Sequence, residues 1–375
     1  MVFSCCLAAG AAETDKTLSF NADGNIRIMQ INDTQDVGEG ANEKMLAFVA
    51  AALDAEQPDL VVFNGDQLSD VYTFPSAEDY AIAIDKVCGL CEERGIPFVA
   101  TLGNHDHDRA SVLSESEMIH LYDRYDMWYG NSDGPDPFTY NVPIMSSDGS
   151  RVALNLYIMD SNNKADEGGY SGINADQLQW YKDTSDALKA ANGGEVVPSL
   201  LFQHVPVKEI YQLMEPCDYN DEGAVYVRRG DDKGFYRANP DRIVDGTLGE
   251  APCSEDFTTI TGEYQAWVEK GDIIGAWFAH DHVNSFSGYS DDGILMGYNA
   301  GATFRSYGDG GNRSVRVFDI NENDVENYST SLVTYNDLMD DIDFVLVDLF
   351  SPTLLTTLMK VVYFFFGWII NLVKG

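Results

Sequence analysis

The sequence predicts a layered domain of mixed strands and helices, α/β or α+β, and three observations carry that reading. Short apolar, β-branched runs alternate with stretches of helical pattern along most of the chain. No internal repeat is visible. Of 375 residues, 45% are hydrophobic and 12% aromatic, ample material for one large core or two modest ones.

The elements follow in chain order. Ile26–Ile31 is the first strand, with apolar residues dominating a short run. Glu43–Glu56 shows a helical pattern, and Leu60–Asn64 returns to an apolar, β-branched run. Ala77–Arg94 is the next helix and Phe98–Leu102 the next strand. Ser114–Asp126 and Ala175–Ala191 are helical, flanking a strand at Val152–Met159. Pro198–Gln203 is a strand. Residues 207–257 lack clear periodicity and are expected to form an insertion or cap, containing Arg228, Arg229, Lys233, Arg237 and Arg242. Thr258–Glu269 is helical, and strands follow at Ile273–Ala279, Ile294–Tyr298 and Val315–Ile320. Residues 323–350 are expected to be an acidic linker, and 351–375 a hydrophobic helix.

With 23 basic and 61 acidic residues, the formal charge is −38. A nucleic-acid partner is not expected, because phosphate backbones need a basic face. An anionic substrate is compatible with this charge where metal ions supply local positive charge. The six cysteines are too sparse for a disulfide-built scaffold. Cys88 and Cys91 are expected to be core-facing residues of a helix rather than a redox pair. A Cys217–Cys253 disulfide is left open.

Both chain ends are apolar. Residues 1–23 carry either the remnant of a secretory signal or a disordered tail. Leu354–Val373 is almost wholly apolar and as a helix would be about 30 Å long, the thickness of a bilayer core. Thr356, Lys360, Tyr363, Gly367 and Asn371 fall on one stripe of that helix. The stripe suits a spanning helix with a partner, an in-plane helix, or a helix packed on the domain. A membrane anchor with the catalytic domain outside the cytoplasm is the expectation, on the thin signal of the lone Lys374 after the run.

Five predicted strands end in metal-binding residue types: Asp33-Thr34-Gln35, Gly65-Asp66, Gly103-Asn104-His105-Asp106, Gln203-His204 and His280-Asp281-His282. Ligands of open sheets collect beyond the carboxyl ends of strands. Each signal alone is weak, since a Gly-Asp after a strand is usually a turn and a lone His usually structural. Together they carry weight: of the six histidines, His105, His204, His280 and His282 all fall here, leaving His107 and His120 to solvated or structural roles.

This order of motifs, D-x-H, G-D, G-N-H-[DE], a lone H, then G-H-x-H, resembles the calcineurin-like metallophosphoesterases over about residues 24–322. The branch near the purple acid phosphatase-like proteins is indicated by Phe202-Gln203-His204-Val205-Pro206 and Gly297-Tyr298-Asn299-Ala300-Gly301. The resemblance implies a four-layer αββα sandwich, two mixed sheets flanked by helices, with a two-metal site at the strand C-terminal ends. It implies that Asp66 bridges both ions, that Asp33 and His282 hold the first, and that Asn104, His204 and His280 hold the second. Asn104 and His105 would face the substrate, with His105 assisting the leaving group and Asp106 either orienting it or capping the loop. Arg305 is a further candidate phosphate contact. An oxygen and nitrogen ligand set without thiolates suits Mn, Fe, Zn or Co.

Three departures from the family pattern stand out. Gln35 occupies the usual His position and could ligate through its carbonyl. Ser69 stands where purple acid phosphatases carry a metal-binding Tyr, so an iron-tyrosinate centre is not expected. Ala279 replaces a Gly. The expected function is a two-metal hydrolase of phosphomonoesters or phosphodiesters. The alternative is a membrane-tethered, phosphate-binding protein with a weakened site and little turnover; a nuclease is disfavoured by the charge. The sequence leaves the oligomeric state open.

Overall fold

Two mixed sheets face one another in the computed structural model, which describes residues 16–36, 42–69, 75–108, 110–131, 133–165, 169–228, 233–253, 261–340 and 346–374. The side chains of 347, 350 and 367–374 are not described. Of the N-terminal segment read as a signal remnant or disordered tail, residues 1–15 lie outside those described, whereas Leu18–Ser19 is a strand of the larger sheet, so its last part is ordered.

The smaller sheet has five strands in the order β16-β15-β2-β3-β4. Its parallel half is β2 (Asn25–Ile31), β3 (Leu60–Asn64) and β4 (Phe98–Thr101). β15 (Ser314–Asn321) and β16 (Ser329–Thr334) complete it antiparallel. The larger sheet has eight strands. In spatial order they are β1 (Leu18–Ser19), β5 (Tyr140–Met145), β6 (Val152–Met159), β7 (Ser199–Gln203), β12 (Ile273–Phe278), β14 (Leu295–Tyr298), β13 (Ser287–Tyr289) and β11 (Ile243–Asp245). Strands β6, β7, β12 and β14 run parallel.

Both faces of the central strands are covered, so β3, β4 and β7 are buried along their full length and carry continuous apolar runs. Between the sheets, Phe318 of β15 meets Phe202 of β7 and Trp277 of β12, with ring centroids 5.6 and 4.8 Å apart. Side chains also tie sheet to sheet: the Asn64 amide donates to the carbonyls of Gln203 and Trp277, and Gln30 to that of Phe278. Helices α1 (Glu43–Glu56), α2 (Ala77–Arg94) and α4 (Glu115–Tyr122) share a core with the smaller sheet. Helices α5 (Ala175–Ala191) and α6 (Glu263–Lys270) cover the larger one through Tyr181, Tyr264 and Trp267. Reciprocal caps start α2 and α5, Ser76 with Asp79 and Asn174 with Gln177. The layers are helix, sheet, sheet, helix, as expected. Cys88 and Cys91 are core residues of α2, and burial pushes the Cys91 thiol up to about 12.

Several strands escape the sequence patterns, β5 and β16 the longest of them. Pro143 interrupts β5, and β16 is polar and only partly buried at the edge of its sheet. β16 pairs with β15 from Asp319–Ser329 to Ser314–Thr334, so Ser329–Thr334 of the segment read as an acidic linker is sheet. A short helix, α7 (Tyr335–Leu338), follows it.

Within 207–257, β8 (Met214–Pro216), β9 (Val225–Val227) and β10 (Gly234–Ala238) form a separate three-stranded sheet, while β11 rejoins the main one. Cys217 and Cys253 are both free thiols. The last helix, α8 (Pro352–Lys374), lies on this small sheet. Its Thr356 hydroxyl accepts from the Tyr226 amide at 3.1 Å, and Tyr363 packs edge-on against Phe235 at 5.1 Å. Thr356 and Tyr363 of the stripe read from the sequence thus turn toward the domain, while Gly367 and Asn371 lie outside the described side chains. Leu354, Leu358, Val361 and Phe365 point outward, each about half exposed or more (Leu354 58%, Phe365 61%). Among the described residues, no helix is long and apolar enough to cross a membrane.

Candidate metal centre

The parallel strands of both sheets end on one side, and the loops leaving them carry the candidate residues. Asp33 and Gln35 follow β2, Asp66 follows β3, and Asn104 opens the short helix α3 (Asn104–His107) after β4. His204 follows β7, and His280 and His282 follow β12. Asp33, Gln35, Asp66, Asn104, His204 and His282 are buried.

The donor atoms converge. One ligand atom each from Asp66, His204 and His280 falls within 4.8 Å of the others. Asp33 Oδ1 is 3.2 Å from His282 Nε2 and 3.8 Å from His204 Nε2. Gln35 Nε2 is 3.2 Å from Asp66 Oδ2 and 3.4 Å from His282 Nε2. Asp66 is therefore central, and the unusual Gln35 sits inside the cluster.

Backbone geometry shows how firmly these positions are imposed. Six described residues other than glycine have positive φ, and four belong to the cluster: Asp33 (51°), Gln35 (42°), Asp66 (53°) and His280 (74°). This conformation is uncommon for side-chain-bearing residues, less so for Asp and His than for Gln, and such strain gathers at functional sites. The Gly-Asp and Gly-Asn-His motifs also have steric reasons. A Cβ on Gly103 would strike the Asp66 carboxylate, and one on Gly65, itself at φ 86°, would strike the His204 ring.

Outer partners aim the donors. His204 Nδ1 lies 2.9 Å from the Asn64 carbonyl and His282 Nδ1 2.8 Å from that of Tyr307. These acceptors place the ring proton on Nδ1 and leave each Nε2 facing inward. Asn32 donates to Asp33 Oδ2 at 2.6 Å and is itself held by Asn299. With its proton on Nδ1, the His204 Nε2 lone pair faces Asp66 Oδ2 at 3.2 Å. Two lone pairs at that distance require positive charge between them, a proton or a metal ion. Asp33 Oδ1, Gln35 Oε1, Asn104 Oδ1, His204 Nε2 and His280 Nδ1 are buried without hydrogen-bond partners. Orphaned donors of this chemistry are costly unless a cation satisfies them, so the residues fit a metal centre.

Electrostatics agree. Burial would raise the Asp66 carboxyl, but His204 and His105 hold it well below the usual carboxylate range. Burial would lower His204, but Asp66 and Asp33 lift it to about 10. Burial and the nearby His204 push His280 down to about 3. Neighbouring imidazoles thus bind a proton unequally, as groups crowded around one shared cation position do.

His105 lies beside the cluster, with its backbone N–H donating to Asp66 Oδ1 at 2.8 Å. Asp106 does not orient it. The Asp106 carboxylate accepts from the backbone N–H groups of Asp66, Gly103 and Leu68, so of the two expected roles it fills the loop cap. The His105 partner is Asp108, with Oδ2 2.6 Å from Nδ1. Asp108 was missed because two aspartates, Asp106 and Asp108, lie within three residues of His105, and only the turn of α3 decides which one faces the ring. Burial would lower His105, but Asp66 and Asp108 raise it to about 9. Arg305 reaches Asp36 Oδ1 at 3.3 Å, next to Gln35 in the chain, and contacts none of the cluster directly. His120 is solvated, while His107 is bound between Asp160 and Glu115.

A two-sheet sandwich with clustered carboxylate, imidazole and amide donors at its strand ends is the architecture of a metallophosphoesterase. The profile described as calcineurin-like phosphoesterase matches residues 26–284, and the chain belongs to that family. It is 29% identical over 341 residues to "Probable inactive purple acid phosphatase 14" of Arabidopsis thaliana, covering 80% of this chain and 77% of that one. It is 26% identical to "Phosphatase DCR2" of Saccharomyces cerevisiae, covering 80% of this chain and 52% of that one. Among solved structures, a dimetal phosphatase from Danio rerio aligns with 83% of this chain and 99% of its own at TM-score 0.43 and 12% identity.

Proposed function

We propose that the protein hydrolyses phosphate esters, monoesters or diesters, at a centre of two divalent or trivalent cations, with Mn, Fe or Zn matching the donors. The supporting observation is the set of five buried, unpartnered donor atoms drawn from four separate loops. Asp33, Gln35 and His282 would hold one ion, Asn104, His204 and His280 the other, and Asp66 both. When bound, the ions supply Lewis acidity that activates water and neutralises charge on the phosphoryl group.

The chain's own residues do the rest. His105 is cationic at neutral pH beside Asp66 and Asp108, so it binds a phosphate oxygen and donates a proton to the departing alcohol. Asp108 fixes its Nδ1 and leaves Nε2 for the ester. The Asn104 amide orients the phosphoryl group, and Arg305 adds positive charge from the rim. Elemental analysis of purified protein, combined with a panel of phosphate esters, tests this reading. Two metals per chain and turnover abolished in Asp66→Asn support it; unchanged turnover in that variant refutes it.

A second reading is a phosphate-binding protein with little turnover, favoured by Gln35, whose amide replaces the stronger imidazole ligand. Metal binding with no hydrolysis of any ester would select it. We also infer that α8 rests in the plane of a bilayer surface, supported by its outward apolar face. Cosedimentation with zwitterionic vesicles tests this; protein that stays in the supernatant counts against it.

A further inference from the structure

We propose that a cavity beside His280 receives the alcohol portion of the ester, that this portion carries a ring, and that the C-terminal helix forms part of its wall. The inference rests on the hydrolase reading above.

The cavity has a volume of about 240 Å³ and is lined by His280 on one side and Leu355 and Thr356 of α8 on another. Sites for drug-sized ligands run to about 300–1,000 Å³, so this one suits a compact group. Its aromatic walls are Tyr170, Tyr226 and Tyr307. Two of these rings continue into the candidate centre: Tyr170 sits edge-on to His280 at 4.7 Å, and Tyr307 stacks on His282 at 4.4 Å and 8°. A phosphoryl group at the centre would therefore direct its ester oxygen toward a chamber with three tyrosine rings in its wall, beside the ionisable groups of Arg228, Glu250 and Asp281. Such walls favour a planar ring, through stacked or edge contacts, over a flexible chain. Tyr307 is fixed by its hydroxyl bond to Glu250 at 3.0 Å, and Tyr226 by the bond from its backbone to Thr356. The walls are thus preorganised, and their composition depends on a helix outside the matched family region.

The test is calorimetric titration of the Mn-loaded, full-length protein with phenylphosphonate and methylphosphonate, whose P–C bonds resist hydrolysis. Phenylphosphonate is expected to bind at least about tenfold tighter, roughly 1.4 kcal/mol. Leu355→Trp, which fills the cavity, is expected to abolish that preference, and the gentler Leu355→Phe to reduce it at least threefold. Equal affinities in the wild type, binding of neither ligand, or an unchanged preference in both variants would overturn the proposal. A parallel assay with phenyl and methyl phosphate separates the two readings. A protein that prefers phenylphosphonate yet hydrolyses nothing keeps the cavity assignment and loses the hydrolase. One that hydrolyses both esters without preference, and binds both phosphonates equally, keeps the hydrolase and loses the cavity assignment.

Discussion

The Asp108 carboxylate lies 2.6 Å from Nδ1 of His105, three residues earlier on the same short turn. It holds the imidazole charged and fixes which nitrogen faces outward. Asp108→Asn removes the negative charge but keeps the shape. Its kcat is expected to fall about tenfold, and that of His105→Gln about 10²–10³-fold, within the usual range for a lost proton donor. Metal content should be unchanged in both. Steady-state kinetics with parallel metal analysis checks this, and full activity in His105→Gln would remove the residue from the chemistry.

Asp106 makes a different prediction. Its two oxygens accept three buried backbone N–H groups at 2.8 to 2.9 Å. Asp106→Ala strands all three, at a cost of at least about 3 kcal/mol. The loops holding Asp66 and Asn104 should loosen together, so denaturant midpoint and metal occupancy should fall in parallel. A variant with wild-type stability and lost turnover would instead place Asp106 in catalysis.

His107 predicts the pH dependence of stability. Burial would lower its pKa, but Asp160 and Glu115 outweigh that and raise it to about 11. A group raised in the folded state stabilises fully below its ordinary value of about 6.5, and the contribution fades as pH climbs through the folded value. His107→Gln should therefore lose about 3 kcal/mol near pH 6, as for a broken buried ion pair, and progressively less toward pH 10. Urea denaturation of both proteins across that interval measures the convergence; a constant gap would contradict it.

Arg313 is fully buried and reaches Asp348 at 2.6 Å, tying the sandwich to the segment before α8. Asp348→Ala leaves that guanidinium without its counter-charge, at a cost of about 3–5 kcal/mol. Arg313→Met with Asp348→Ala should recover much of the loss, because an apolar replacement removes the stranded charge. Thermal melts of the single and double variants distinguish this from simple loss of contacts.

The donors of the metal centre were legible because each follows a strand recognisable by its apolar run, and strand ends gather at one side of a layered fold. The partner of His105 was not legible, since Asp106 and Asp108 differ only in how α3 turns. β16 was hidden because its polar sequence, Ser329 to Thr334, resembles a linker and finds its pairing only at a sheet edge. The facing of α8 was also hidden: its polar stripe is equally suited to water, a partner helix or the domain, and Tyr363 and Thr356 choose the domain through contacts with β9 and β10.

The left-handed backbone at Asp33, Gln35, Asp66 and His280 sets stability against use. Glycine relaxes the dihedral strain at each position, but at Asp33 and Asp66 it also removes a carboxylate that the neighbouring imidazoles stabilise. A library sorted only for expression or heat resistance should therefore enrich glycine at Gln35 and His280, which carry no such pairing, and yield robust, inert proteins. Improving this fold as a catalyst calls for screens that hold those positions fixed and seek rigidity elsewhere.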